Sequence, residues 1–231
     1  MFNRFLDPKN GVAFKSVFGQ EKNKDILIHF LNDVLSHDRI GQIKEVTFLR
    51  RAQELKVAPK RQSPIDVRCR DELGRECVAA IDMEVAKRPD YKQRAQYHAA
   101  KAYSSISLYE HFNEDFRGVT FLGIANFEIL PEDSAIKSEH TFFDRSTYEQ
   151  DLQNLSFIFI ELPKLKKSVK ELAGPLDCWC YYLKHAHEIS QEDYELLIGK
   201  HPILKRAYEV LDQDCWSVVD LKVYESWMRQ G

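Results

Sequence analysis

The sequence has few cysteines, no long apolar run and almost no net charge. Its 231 residues include five Cys, an odd number without the spacing of a disulfide framework, so we expect a reducing compartment. No stretch approaches the roughly 20 consecutive apolar residues that a membrane-spanning helix needs. The first seven residues also lack the apolar core of a secretory signal. Together these absences predict a cytoplasmic protein without a membrane partner.

Several catalytic signatures are also missing. The nine glycines form no glycine-rich phosphate loop, and no Gly-x-Ser-x-Gly sequence surrounds a serine nucleophile. With 44% hydrophobic and 30% charged residues, the composition is that of an ordinary globular protein, which excludes collagen-like and disordered chains. The length suggests one large domain, or one domain with an appendage.

The net charge of −3 hides an uneven distribution of charged residues. Acidic residues dominate 171–231, whereas positions 50–70 are rich in basic residues and contain only two acids. Such a basic strip is compatible with a phosphate backbone. An edge strand and loop protected by Lys and Arg would explain it equally well. The strip consists of Arg50, Arg51, Lys56, Lys60, Arg61, Arg68 and Arg70.

Hydrophobic periodicity predicts an α/β fold. Asp7-Pro8 is typical of a helix start, and apolar stripes predict helices over 21–35 and 90–109. Apolar runs predict strands at 43–49, 118–130 and 157–160. After Gly174-Pro175 the chain is helical in pattern, so we divide it into an α/β domain (1–167) and a helical C-terminal region (168–231).

Two segments with period-two alternation predict a β-hairpin that carries acids on one face. Apolar and charged residues alternate over 65–70 and again over 77–85. The loop between them suits a three-residue turn with Gly74 in the left-handed conformation. That turn places Asp66 opposite Ala80 and Asp82 diagonally from Asp66, with Glu84 on the same face. A two-residue loop would instead put Asp66 and Asp82 on opposite faces.

Three carboxylates on one sheet face suit a hard divalent cation. Mg²⁺ prefers oxygen ligands and keeps several waters, so one or two carboxylates and a phosphate suffice to bind it. A bound cation polarises a phosphoryl oxygen and lowers the pKa of a bound water. Acids on the solvent side of a sheet also have a simpler explanation, because exposed faces are normally charged.

The helix predicted over 90–109 adds three polar residues beside these acids. Arg94, Tyr97 and Lys101 lie one turn apart on one side of the helix, away from its alanine stripe. They could contact a phosphate or brace an acid. A surface arginine and a tyrosine packed at the helix edge fit the same pattern.

The order of these motifs resembles the PD-(D/E)xK nuclease superfamily, and within it the bacterial recombination-promoting nucleases and transposases. The likeness covers about residues 5–170. It rests on Asp66, Gly74, Asp82-Met83-Glu84 and Arg94-Ala95-Gln96-Tyr97, and on the segments Asp7-Pro8, 14–19, 31–35 and 159–164.

The resemblance implies a DNA endonuclease that depends on Mg²⁺ or Mn²⁺. Its restriction-endonuclease-like core would be a mixed four-stranded sheet flanked by helices, with a helical C-terminal appendage. Asp66 and Asp82 match the two metal-binding acids. Glu84 stands where the superfamily usually has Lys and this group usually has Gln.

This departure at Glu84 affects the expected chemistry. A Lys would stabilise negative charge in the transition state, which Glu cannot do, although Glu84 could bind metal or act as a general base. Lys101 could replace the missing Lys. A DNA-binding module without cleavage, and a protein-interaction module built on the acidic C-terminal helices, are the alternatives. For the nuclease, cutting both strands needs two sites, so we expect a homodimer.

Overall fold

The computed structural model describes residues 4–35, 40–49, 64–106, 114–131 and 133–228. Its helices are α1 (Gly11–Phe18), α2 (Lys24–Val34), α3 (Tyr91–Ser104), α4 (Pro175–His185), α5 (Gln191–Lys200), α6 (Ile203–Leu211) and α7 (Val218–Met228). Its strands are β1 (Ile43–Phe48), β2 (Ile65–Asp71), β3 (Glu76–Glu84), β4 (Phe116–Ala125), β5 (Lys137–His140) and β6 (Leu155–Glu161). None of the helices described is long and apolar enough to cross a bilayer.

The strands form one mixed sheet in the order β1-β2-β3-β4-β6-β5. Neighbours among β1, β2 and β3 are antiparallel, β3, β4 and β6 are parallel, and β5 is antiparallel to β6. The segment between the parallel strands β3 and β4 contains α3, as crossover connections usually contain a helix. The carboxyl ends of β3, β4 and β6 therefore lie at the same edge of the sheet.

The expectation of a four-stranded sheet is wrong, because the described residues contain six strands. The strand predicted over 43–49 extends the sheet beyond β2 as β1. β5 adds an edge strand with the polar sequence Lys137-Ser138-Glu139-His140, which has no apolar alternation. β5 pairs with β6 through backbone groups. The side chains of β5 therefore give little indication in the sequence that this segment is a strand.

Helices cover both faces of the sheet. One face, with Val67, Ile81 and Leu122, belongs to the core formed with α1 and α2. The other face packs against the alanine stripe of α3, whose small side chains allow a close approach. The acids thus do not lie on an open solvent face: Asp66 is 9% exposed and Asp82 only 4%. Sequence alternation missed this because it does not show that a later helix covers the charged side.

The C-terminal helices share a core with α1 and α2. The ring of Trp179 in α4 is fully buried, with its centroid 5.2 Å from that of Phe30 and 6.0 Å from that of Phe18. Its indole Nε1 donates to Asp33 Oδ2 at 2.7 Å. One hydrophobic cluster therefore includes residues on both sides of position 167, and the division into 1–167 and 168–231 stays a prediction about the chain's organisation.

The first helix begins later than Asp7-Pro8 suggests. Asn10 is the N-cap of α1, since its Oδ1 accepts from Val12 N at 2.9 Å. Asp7 instead accepts from Lys9 N at 2.9 Å, and Lys9 Nζ donates to Lys184 O at 2.9 Å. Residues 7–9 therefore join the amino-terminal segment to the end of α4.

Candidate active site

The β2–β3 hairpin has the register that the sequence predicts. Asp71 N donates to Arg75 O at 3.0 Å, and Gly74 has φ of 80°, a conformation that glycine adopts without strain. Asp66 lies opposite Ala80, so Asp82, two residues further on, shares its face at a diagonal position. The three-residue turn and the shared face of the two acids are both confirmed.

A buried carboxylate holds this turn in place. Asp71 Oδ1 accepts from the N–H groups of Leu73 and Arg75, both at 2.9 Å. Its Oδ2 accepts from Gly41 N at 2.8 Å and Arg75 Nε at 2.7 Å. Burial would raise the pKa of Asp71, but these hydrogen bonds outweigh it and lower the pKa below its ordinary value. A slip of one residue in the hairpin would break this set of bonds. The hydrogen bonds of Asp71 therefore stabilise the register that places the two acids on one face.

Glu84, at the carboxyl end of β3, is paired with an arginine of α3. Arg94 Nη1 donates to Glu84 Oε2 at 2.6 Å, and Arg88 Nε lies 3.9 Å from Glu84 Oε1. Burial disfavours the charged guanidinium, but the hydrogen bond to Glu84 and the charges of Glu84 and Asp82 raise the pKa of Arg94. The acid at the third motif position is thus neutralised from within the protein, and Arg94 lies within electrostatic reach of Asp82.

Tyr91 belongs to the same group, although the sequence pattern gives no direct indication of it. Its side chain is buried, which raises the pKa of its hydroxyl well above the ordinary value, and the charges of Asp82 and Glu84 add to this effect. Apolar periodicity assigns an aromatic residue at this helical position to the core. The one sequence signal is its place three residues before Arg94, which puts both on one side of α3.

The other two residues predicted on α3 lie on its exposed surface. Tyr97 is 61% exposed, and Lys101 is also exposed. At 1.5 Å per residue, Lys101 is about 10 Å beyond Arg94 along the helix axis. The structure therefore brings Arg94 to the acids, while Tyr97 and Lys101 remain on the helix surface.

Most of the basic strip lies outside the described residues. Of its two described members, Arg70 lies 2.6 Å from Glu76 and 3.8 Å from Glu45 on the neighbouring strands. This pairing is typical of an exposed sheet surface. The members outside the described residues are Arg50, Arg51, Lys56, Lys60 and Arg61.

Asp66 and Asp82 fit a hard divalent cation as a pair. Both are buried carboxylates on one sheet face, and Mg²⁺ or Mn²⁺ can be bound through one or two carboxylates, with water and phosphate oxygens completing the shell. In the part of the chain that the structure describes, no three Asp, Glu, His or Cys side chains are grouped to hold an ion. Glu84 contacts Arg94 instead, so the geometry suits a two-carboxylate site.

Comparison with known proteins identifies the family. A family model described as PD-(D/E)XK nuclease family transposase matches residues 8–230. No match was found among the curated proteins or among the solved structures. The matched range contains both acids of the hairpin, α3 and the C-terminal helices, and it extends well beyond the segment in which the motifs were found. With a match over nearly its whole length, the chain belongs to the PD-(D/E)XK nuclease family of transposases.

Proposed function

We propose that this protein is a metal-dependent DNA endonuclease that hydrolyses phosphodiester bonds during recombination or the movement of mobile elements. The observation that carries the proposal is the hairpin register, which brings Asp66 and Asp82 to one sheet face beside Arg94. Membership of a nuclease and transposase family supports the reaction class and implies DNA as the partner. The five cysteines are free thiols, which supports action in the reducing cytoplasm.

In this proposal Asp66 and Asp82 hold Mg²⁺ or Mn²⁺, which polarises the scissile phosphate and lowers the pKa of a bound water. Arg94 stabilises negative charge as it develops on the phosphate. The positive charge of Arg94 comes from α3 and lies beside position 84, where the superfamily usually has a lysine. Glu84 orients Arg94, and it is also a candidate third ligand or general base for the attacking water.

The outer surface of α3 suits the DNA backbone. The helix contains no acid, and over residues 87–104 Asp90 is the only acidic side chain. Tyr97 projects from the same surface, where it can contact a sugar or phosphate. Binding through this surface would weaken steeply as salt increases. The basic side chains of this segment are Lys87, Arg88, Lys92, Arg94 and Lys101, and all but Arg94 are exposed.

The pairing of Glu84 with Arg94 favours a second candidate function. If the ion pair at 2.6 Å persists when DNA binds, Arg94 stays bound to Glu84 and does not reach the phosphate. The chain would then bind DNA through α3 without cutting it. This candidate shares the fold and the DNA surface with the first and differs in cleavage alone.

The two candidates are separated by a cleavage assay with a matched control. Supercoiled plasmid is incubated with the full-length protein and Mg²⁺ or Mn²⁺, with and without EDTA. Asp82→Asn removes a charge from the site while keeping the side-chain shape. Glu76→Gln removes a charge from the same strand six residues away, about 20 Å along β3. We expect EDTA and Asp82→Asn to abolish nicking, and Glu76→Gln to nick like the wild type.

Two other results would contradict the assigned site or favour the second candidate function. Nicking that survives Asp82→Asn would contradict the assigned site. No nicking with either ion, together with salt-sensitive binding to a labelled duplex, would favour the DNA-binding module. A homodimer for cutting both strands stays a prediction, which light scattering of the DNA complex would check.

A further inference from the structure

A buried tyrosine hydroxyl in the candidate site lacks a hydrogen-bond partner among the described residues. Tyr91 is 2% exposed, and its Oη has neither a donor nor an acceptor within reach in that part of the chain. Burying a polar group without a partner costs free energy, so such an atom in a native fold calls for an explanation. A ligand atom that enters the site would supply the missing hydrogen-bond partner.

The hydroxyl lies beside Asp82. The ring of Tyr91 packs edge-on against Phe127, with centroids 5.4 Å apart, and lies 6.1 Å from the ring of Phe159. These contacts hold Oη against β4, where a Cβ built on Gly123 would lie 2.5 Å from it. Gly123 is paired with Asp82 across β3 and β4, so the hydroxyl and the carboxylate occupy neighbouring positions on one sheet face.

Glycine at position 123 is what leaves space for the hydroxyl. A side chain there would overlap with Tyr91 Oη, and it would also meet ring atoms of Phe121 and Phe159, both at 3.0 Å. Glycine inside a strand weakens the sheet and often marks the close approach of another group. Here the approaching group is the hydroxyl of Tyr91, which lies on the same sheet face as Asp82.

We propose that Tyr91 is a positioning residue of this site, whose hydroxyl forms a hydrogen bond with a water molecule on the divalent cation held by Asp66 and Asp82. The inference rests on the proposed function, since it requires that cation. A phenol hydroxyl is both donor and acceptor, and a cation bound through two carboxylates keeps several waters. Groups that form hydrogen bonds with the ligands of a metal ion orient those ligands, and removing such a group commonly weakens metal binding.

A second buried tyrosine serves as the matched control. Tyr208 is fully buried, and its Oη also lacks a partner among the described residues. Its ring packs against Tyr182 and Tyr194, each at 5.0 Å, among the C-terminal helices. Removing an unpaired buried hydroxyl is close to neutral or stabilising for the fold. Tyr91→Phe and Tyr208→Phe should therefore resemble each other in the absence of a cation and differ in its presence.

The test measures cation binding without DNA or cleavage. Mn²⁺ is titrated calorimetrically into the full-length wild type, Tyr91→Phe, Tyr208→Phe and Asp82→Asn. We expect Tyr91→Phe to bind Mn²⁺ about 10–100-fold more weakly, Tyr208→Phe to bind like the wild type, and Asp82→Asn to show no measurable binding. Without Mn²⁺, the thermal midpoint of Tyr91→Phe should equal or exceed that of the wild type.

The outcomes distinguish this inference from the proposed function. If Tyr91→Phe binds Mn²⁺ as tightly as the wild type while Asp82→Asn does not bind it, the role of Tyr91 is overturned and the cation site stands. If the wild type binds no Mn²⁺, the metal-dependent function fails and the inference fails with it. A lower thermal midpoint for cation-free Tyr91→Phe would show that the hydroxyl supports the fold, which also contradicts the inference.

Discussion

Arg94 of α3 and Glu84 of β3 form an ion pair at 2.6 Å in the candidate active site. The side chains are 21% and 15% exposed, so water screens their charges only in part. The pair places a guanidinium beside the position that the superfamily usually reserves for lysine. It also explains how a third acid can stand so close to Asp82, since Arg94 offsets its negative charge.

Breaking this pair from either side should have opposite effects on cleavage. Arg94→Ala leaves the Glu84 carboxylate without its cation and removes positive charge from the phosphate site. We expect nicking to fall about 10²–10³-fold, as for the loss of one donor to the transition state. Glu84→Gln keeps the side-chain shape and frees Arg94 for the phosphate, so nicking should be maintained or increased. A fall in nicking would instead assign the Glu84 carboxylate to metal binding or to the attacking water.

A double variant and a control variant test whether Arg94 acts partly by neutralising Glu84. If Arg94 acts partly by neutralising Glu84, the variant carrying both Arg94→Ala and Glu84→Gln should be less impaired than Arg94→Ala alone. Arg4→Ala removes an arginine that pairs with Asp212 at 2.9 Å, far along the chain from the site, and should not change nicking. Equal losses in Arg94→Ala and the double variant would contradict the neutralising role.

The hydrogen bonds of Asp71 should make a large contribution to the stability of the hairpin. Asp71→Asn keeps the shape of the side chain but turns one oxygen, which accepts from Gly41 and Arg75, into a donor. We expect the free energy of unfolding to fall by about 2–3 kcal/mol, measured by urea denaturation. Glu72→Gln, at the exposed neighbouring position, should change it by less than about 0.5 kcal/mol. A similarly small change for Asp71→Asn would show that the turn does not depend on this carboxylate.

Asp33 should make stability depend on pH in the acidic range. Burial would raise the pKa of Asp33, but the His201 imidazole, whose Nε2 lies 2.9 Å from Asp33 Oδ2, and the hydrogen bond from Trp179 outweigh it and lower the pKa below the ordinary 3.8. A carboxyl whose pKa is lower in the folded state stabilises the fold above its unfolded pKa, and loses that contribution as the pH falls through the folded pKa. The difference in unfolding free energy between wild type and Asp33→Asn should thus be largest above about pH 4 and shrink below it.

This pH dependence can be followed by tryptophan fluorescence during urea denaturation, because Trp179 itself donates to Asp33. Taking the difference between the two proteins cancels the titration of the other acids. A difference that stays constant from pH 7 to pH 3 would mean that the carboxylate has the same pKa in the folded and unfolded chains.

The two segments proposed on either side of position 167 should fold as one unit. Trp179 fills the core between α2 and α4, and Trp179→Ala should cost about 3–5 kcal/mol. Val219→Ala, at a position 70% exposed, should change stability by less than about 0.5 kcal/mol. A chain that ends at Lys167 should show no cooperative thermal transition. Cooperative folding of that fragment would instead support an independent domain boundary.

The β2–β3 hairpin was predictable from the sequence because its signals are local. Alternation over 65–70 and 77–85, with Gly74 in the turn, leaves one register that buries the apolar face, and the structure has that register. The apolar stripe of α3 was predictable for the same reason, and Ala95, Ala99 and Ala102 are buried as expected. The likeness to the nuclease family, which the family match bears out, also depended on such local motifs.

The sequence by itself determined the hairpin, the alanine stripe of α3 and the order of the acids, since each depends on residues within a few positions of one another. Only the tertiary structure decided that α3 covers the acid face, that Glu84 pairs with Arg94 and that Tyr91 lies against Gly123. Each of these contacts joins elements that are separate in the chain. Their geometry depends on how closely α3 packs on β3 and β4, which periodicity along one element does not specify.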